Sequence, residues 1–119
     1  MAIKTQMIEF PSNGDTTPGY LTQPEDADQH PAIVVIQEWW GLVPHIKDVA
    51  DRFAREGFIA LAPDLYHGIA ASEPDEARKL AMGLDRDRAV IEISAAAKYL
   101  SELNETAPKK IGVIGWCMG

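Results

Sequence analysis

Three continuous apolar runs place the strongest constraint on this chain. Ala32-Ile33-Val34-Val35-Ile36, Phe58-Ile59-Ala60-Leu61-Ala62 and Ile111-Gly112-Val113-Ile114-Gly115 contain no polar side chain and no alternation. A strand with one wet face alternates apolar and polar residues, whereas a run that is apolar at every position fits a strand covered on both faces, as in a parallel sheet. Parallel neighbours need crossover connections, and the intervening segments have helical periodicity. From His45 to Glu56 the apolar residues Ile46, Val49, Ala50 and Phe53 recur at helical spacing, and Gly57 is a stop signal. A shorter helix is expected from Glu73 to about Met82, ending at Gly83. A longer one is expected from Asp85 to Leu103, with Val90, Ile93, Ala97 and Leu100 inward and Asp85 to Arg88 solvated. The order strand, helix, strand, two helices, strand predicts right-handed parallel crossovers.

The first 23 residues read differently. Ile3 to Phe10 and Thr16 to Thr22 flank the turn cluster Pro11-Ser12-Asn13-Gly14-Asp15, which predicts a β-hairpin. Pro24 to Pro31 is a polar loop. The expected architecture is therefore α/β: a hairpin over 1–23, then a parallel βαβαβ unit over 32–119, all within one domain of 1–119.

Charge and composition remove several function classes. Eleven Lys plus Arg against eighteen Asp plus Glu give a net charge of −7, with no basic block. Phosphate contacts need clustered Lys and Arg, so neither nucleic acid nor an anionic membrane surface is an expected partner. No apolar run is long enough to span a bilayer, and Met1-Ala2-Ile3-Lys4 shows no signal-peptide core. With Cys117 as its single cysteine, the chain is expected to be cytoplasmic.

That cysteine lies in Gly115-Trp116-Cys117-Met118-Gly119, a G-x-C-x-G pattern directly after the third apolar run. Its serine counterpart is the nucleophile elbow, a sharp strand-to-helix turn that only small flanking residues permit. The turn lifts the nucleophile above the sheet and frees the following N–H for an oxyanion. A thiolate is a strong nucleophile in such a place. The alternative is an inert buried cysteine. Gly112, Gly115 and Gly119 do not have the spacing of a dinucleotide fingerprint, and there is no P-loop.

Gln37-Glu38-Trp39-Trp40-Gly41 follows the first run, at a strand end where ligands gather in open α/β sheets. These residues either contribute an oxyanion donor or simply cover the sheet. Ala62-Pro63-Asp64-Leu65-Tyr66-His67-Gly68 follows the second run, with Asp64 suited to tether its loop. His30, His45 and His67 show no metal-ligand spacing with Asp or Glu, so neither a metal nor another cofactor is expected.

Together, the segments 32–41, 62–66 and 112–119 make the chain resemble the dienelactone hydrolase family of the α/β-hydrolase fold, from about Ala32 to Gly119. The resemblance implies hydrolysis of a small ester or lactone through a thioester. In that reading Cys117 is the nucleophile and Glu38 the carboxylate that couples substrate binding to thiol activation. The N–H groups of Trp39 and Met118 form the oxyanion hole, and Trp40 lines the substrate pocket. The family places its catalytic Asp and His after the cysteine, whereas His30, His45 and His67 all precede it. The 119 residues are thus expected to be the N-terminal part of the domain and inactive alone, with a complementary chain as one source of the rest. Where the family's carboxylate-binding arginine is expected, this chain has Pro74, with Arg78 one turn later, which leaves the substrate open. Two other readings stand beside the hydrolase: a non-catalytic half-domain serving assembly, and a redox-sensing thiol, which the missing resolving cysteine disfavours.

Overall fold

A computed structural model of the chain describes residues 2–116. Two strands, β1 (Ile3–Ser12) and β2 (Asp15–Pro24), form an antiparallel hairpin. Pairing runs out to Ser12 opposite Asp15, so only Asn13 and Gly14 remain in the turn, at φ of +48° and +83°. Two left-handed residues give a turn whose twist matches that of the strands, which is why both strands outrun the expected Phe10 and Thr16 and the hairpin ends at Pro24.

The remaining elements are β3 (His30–Val35), α1 (Pro44–Arg55), β4 (Ile59–Pro63), α2 (Pro74–Gly83), α3 (Arg86–Glu102) and β5 (Thr106–Ile114). They make one mixed sheet in the order β1-β2-β4-β3-β5. β3 pairs in parallel with both β4 and β5, as the apolar runs predict. β2 joins the hairpin to β4 in antiparallel register, Gly19 opposite Pro63. β5 begins earlier than its apolar run because His30 pairs with Thr106. Pro31 has no N–H to offer the ladder, and pairing resumes at Ala32 opposite Ile111 after a register shift. Among the described residues no helix is long and apolar enough to cross a membrane.

β3 is buried towards both faces. Ala32, Val34 and Ile36 pack with Leu61, Leu65, Ala96 and Leu100 on the α3 side, while Ile33 and Val35 pack with Ile46, Ala50 and Ala62 on the α1 side. This two-sided burial is the physical reason for the missing alternation. The stripe of α1 agrees with its periodicity, with Ile46 and Ala50 buried and Val49 and Phe53 packed beside them. The stripe of α3 agrees with its periodicity in part: Leu100 is buried and Ile93 and Ala97 pack against the core as expected, but Val90 does not. Ala89, Glu92, Ala96 and Leu100 face inward, and Val90 is 61% exposed. Alanines let this helix lie close on the sheet, and a buried carboxylate occupies the position that periodicity assigns to an apolar residue.

Gly19 marks the tightest strand contact. A Cβ there would lie 2.9 Å from Leu61 Cδ1 and 3.1 Å from Phe10 Cε1. Overpacking of a dense core costs about 1–3 kcal/mol. Gly19→Ala is therefore expected to lower unfolding stability by about that amount in urea denaturation, whereas Gly14→Ala, with no neighbour to strike, should cost only the strain of its positive φ.

Candidate active site

The carboxyl end of the parallel strands gathers the residues of interest. Ile36 N–H donates to the Ile114 carbonyl at 2.9 Å, the last tie between β3 and β5, after which both chains leave the sheet at the same end. Gln37 is fully buried, and its Oε1 accepts the Leu65 N–H at 2.9 Å, which binds the loop after β3 to the loop after β4. Asp64 does tether that second loop: Oδ1 accepts from Tyr66 N at 3.2 Å and Oδ2 from Gly68 N at 2.7 Å.

Between Glu38 and Gly41 the chain makes a tight turn closed by an isolated bridge. Gly41 N–H donates to the Glu38 carbonyl at 3.1 Å, the Tyr66 hydroxyl donates to the Trp39 carbonyl at 3.0 Å, and Ala71 N–H donates to the Trp40 carbonyl at 2.9 Å. Three successive carbonyls are therefore fixed. In a trans peptide the N–H points opposite to its C=O. With the Glu38 carbonyl turned towards Gly41, the Trp39 N–H is turned the other way. Gly41 has φ +101°, and a Cβ on it would sit 3.0 Å from the Ile69 carbonyl oxygen and 3.1 Å from Tyr66 Cδ2. Both the conformation and the space demand glycine.

Glu38, Trp39 and Trp40 are all half-buried, and the two indoles meet edge to face with centroids 5.6 Å apart. Glu38 Oε1 lies 3.7 Å from Nε2 of the exposed His45 in the first turn of α1. Cys117 and Met118 lie outside the described residues. Pro74 opens α2, and Arg78 is exposed one turn on.

Each histidine has a carboxylate neighbour that sequence spacing did not reveal. His30 Nε2 lies 2.8 Å from Asp26 Oδ1, and this hydrogen bond holds the Asp26 carboxyl below the usual carboxylate range. His67 Nε2 lies 2.5 Å from Oε2 of the buried Glu92, which also accepts from Thr17 Oγ1 at 3.1 Å. The one sequence sign of this last group is a glutamate on the stripe of α3 that faces the sheet. Among the described residues no group of three or more His, Cys, Asp or Glu has metal-holding geometry.

A mixed α/β sheet with its loops organised at the carboxyl end of the parallel strands defines a fold shared with α/β hydrolases. The solved structures agree. A dienelactone-hydrolase-like promiscuous phosphotriesterase from metagenomic libraries superposes with a TM-score of 0.84 at 26% identity, covering all of this chain and 51% of that one. A protein titled m3DLH gives a TM-score of 0.84 at 30% identity, with the same coverage. The model of the dienelactone hydrolase family matches residues 17–119, and the chain belongs to that family. Among curated relatives, Protein usf of Aquifex pyrophilus is 42% identical over 96% of this chain and 51% of its own length. A protein of Aquifex aeolicus (strain VF5) with a provisional carboxymethylenebutenolidase name is 40% identical over the same shares. The chain spans about half the length of the curated relatives it matches.

The turn makes its own prediction. Tyr66→Phe removes the hydrogen bond to the Trp39 carbonyl, and loss of that bond should cost about 0.5–1.5 kcal/mol of stability. Gly41→Ala meets both a positive φ and a backbone oxygen and should cost more than Tyr66→Phe in the same denaturant titration.

Proposed function

We propose that this chain carries the nucleophile, the coupled carboxylate and the oxyanion donors of a carboxylic-ester or lactone hydrolase that works in the cytoplasm through a cysteine thioester. The observation that supports this most is the Glu38–Gly41 turn. It stands at the end of the strand beside β5, with its peptide planes held by Gly41, Tyr66 and Ala71. Oxyanion donors act through such preorganisation, because the cost of aligning the dipole is met during folding and not during reaction.

In this reading the Cys117 thiolate attacks the carbonyl carbon of the ester or lactone. The carbonyl electron pair moves onto oxygen, where the N–H groups of Trp39 and Met118 receive it. Collapse of the tetrahedral species expels the alkoxide, which takes up a proton, and leaves a thioester on Cys117. Water then attacks the thioester, releasing the acid and the thiolate. Loss of one oxyanion donor raises such a barrier by about 3–4 kcal/mol. Glu38 supplies the carboxylate that couples the thiol to substrate binding, and Trp40 supplies apolar surface to the acyl group. The family's Asp and His, which would orient and relay the proton, follow the cysteine in chain order and are not among these residues.

A second reading draws on one observation. Among the described residues β5 pairs only with β3, and Val113 on it is 53% exposed. An open apolar edge favours pairing with further polypeptide, which would make these residues an assembly module. Light scattering on the protein expressed from its complete reading frame tests this second reading: concentration-dependent association supports it, and a stable monomer counts against it.

For the hydrolase, p-nitrophenyl acetate turnover is the measurement. In the protein expressed from its complete reading frame, Cys117→Ala is expected to lower the rate about 10³-fold or more, and Glu38→Gln is expected to lower kcat with an unchanged melting temperature. Residues 1–119 alone are expected to show no turnover. A Cys117→Ala protein with the native rate removes the thioester mechanism.

A further inference from the structure

The loop after β4 carries two groups that hold the candidate oxyanion turn, the Tyr66 hydroxyl on the Trp39 carbonyl and the Ala71 N–H on the Trp40 carbonyl. That loop is itself held from α3. Glu92 sits on the sheet-facing stripe of the helix, with its side chain 4% exposed. Its Oε2 accepts from Thr17 Oγ1 of β2 at 3.1 Å and meets His67 Nε2 of the loop at 2.5 Å. A carboxylate can only accept, so the imidazole nitrogen facing it is the donor. Glu92 Oε1 is buried beside Arg88 Nε, 3.8 Å away, and the same guanidinium donates through Nη2 to the Leu65 carbonyl at 3.0 Å.

Tyr66 therefore stands between two anchored neighbours. Leu65 is fixed through its N–H, which donates to Gln37 Oε1 at 2.9 Å, and through its carbonyl on Arg88. His67 is fixed through its ring on Glu92 and through its N–H, which donates to the Asp64 carbonyl at 3.2 Å. Its backbone is left-handed, with φ +51°, a conformation that is uncommon for a residue with a side chain and persists where the surroundings over-determine it. With both neighbours pinned, the place of the Tyr66 ring is set, and its hydroxyl in turn fixes the peptide unit that follows the Trp39 N–H. An apolar residue at position 92 would pack beside Ala96 and Leu100 without the cost of burying a carboxylate, but it could not hold His67. What distinguishes the glutamate is the loop it holds.

We propose that Glu92 and His67 are positioning residues for the hydrolytic site, setting Tyr66 and, through it, the alignment of the Trp39 N–H. The inference rests on the hydrolase reading of the Glu38–Gly41 turn. Neither residue touches substrate in this role. Losing their bond leaves the Cys117 chemistry in place and loosens the donor, whose contribution depends on alignment in the transition state and not on ground-state binding. The loss therefore falls on kcat and not on KM.

The test uses the protein expressed from its complete reading frame and two readouts, p-nitrophenyl acetate kinetics and amide hydrogen exchange by NMR. The net worth of one hydrogen bond, converted to a rate, is about fivefold. His67→Ala is expected to lower kcat by about that factor with KM unchanged. Its Gly41 and Ala71 amides, which close the turn, should exchange about fivefold faster, while those of Val34 in β3 and Ala50 in α1 keep their native rates. His67→Gln carries the same left-handed backbone but restores an N–H donor, and should return kcat and exchange to near native. Glu92→Leu should match His67→Ala; if it does not fold, the two His67 variants decide. Native kcat in His67→Ala overturns the proposal. So does a His67→Gln protein as slow as His67→Ala, and so does acceleration shared equally by Gly41, Ala71, Val34 and Ala50, which marks a loss of global stability alone. If the native protein shows no turnover, the hydrolase reading fails by itself, and the exchange rates still decide whether Glu92 and His67 set the turn.

Discussion

The central strand β3 is held between β4 and β5 and covered by α1 on one face and α3 on the other. Within it, backbone hydrogen bonds go sideways to neighbours and side chains go into two apolar layers. No polar side chain can be accommodated there without a buried partner. Polar function is therefore displaced to where the strand stops. The first residue past it, Gln37, is still fully buried and must spend its carbonyl oxygen on the Leu65 N–H. Glu38 is the first side chain with access to solvent. The position of the candidate carboxylate follows from the length of the buried strand.

Beyond that point the sheet offers no hydrogen bonds, and the turn borrows them from the next connection. Tyr66 and Ala71, both in the loop after β4, hold the carbonyls of Trp39 and Trp40. That loop is in turn fixed by Asp64, by Gln37 and by Arg88 Nη2 on the Leu65 carbonyl. Each bond is worth only about 1 kcal/mol net, but they act on a few consecutive peptide units. The orientation of the Trp39 N–H is a collective property of two loops, which is what its proposed role as an oxyanion donor would require.

The sequence made much of this legible. Apolar runs without alternation identified the parallel strands, and the Asn13-Gly14 pair identified the hairpin, because both patterns follow from rules local to a few residues. The family match over residues 17–119 agrees with the three motif segments. What stayed hidden depends on distance. Nothing near Tyr66 says that its hydroxyl reaches Trp39, 27 positions away. Within the α3 stripe Val90 was misplaced because periodicity weighs side chains by hydrophobicity, and here small alanines and Glu92 face the sheet while Val90 faces water. The early start of β5 escaped because the apolar run begins only at Ile111, and the pairing of His30 with Thr106 lies across a register shift that no local pattern announces.

Glu92 shows why such a residue is tolerated. Moving a carboxylate out of water costs several kcal/mol even after relaxation. Packing alone would be better served by a leucine at that position, since α3 already offers Ala89, Ala96 and Leu100 to the same layer. The partners of Glu92 come from β2, from the loop after β4 and from α3 itself, so the carboxylate joins three segments that are distant in sequence. Removing one partner strands the charge, whereas replacing the whole set with apolar residues of equal volume would be nearly neutral. Stability therefore does not explain the arrangement. With Oε2 held by Thr17 and His67 and Oε1 buried beside Arg88 Nε, the carboxylate acts as a polar tie between β2, the loop after β4 and α3.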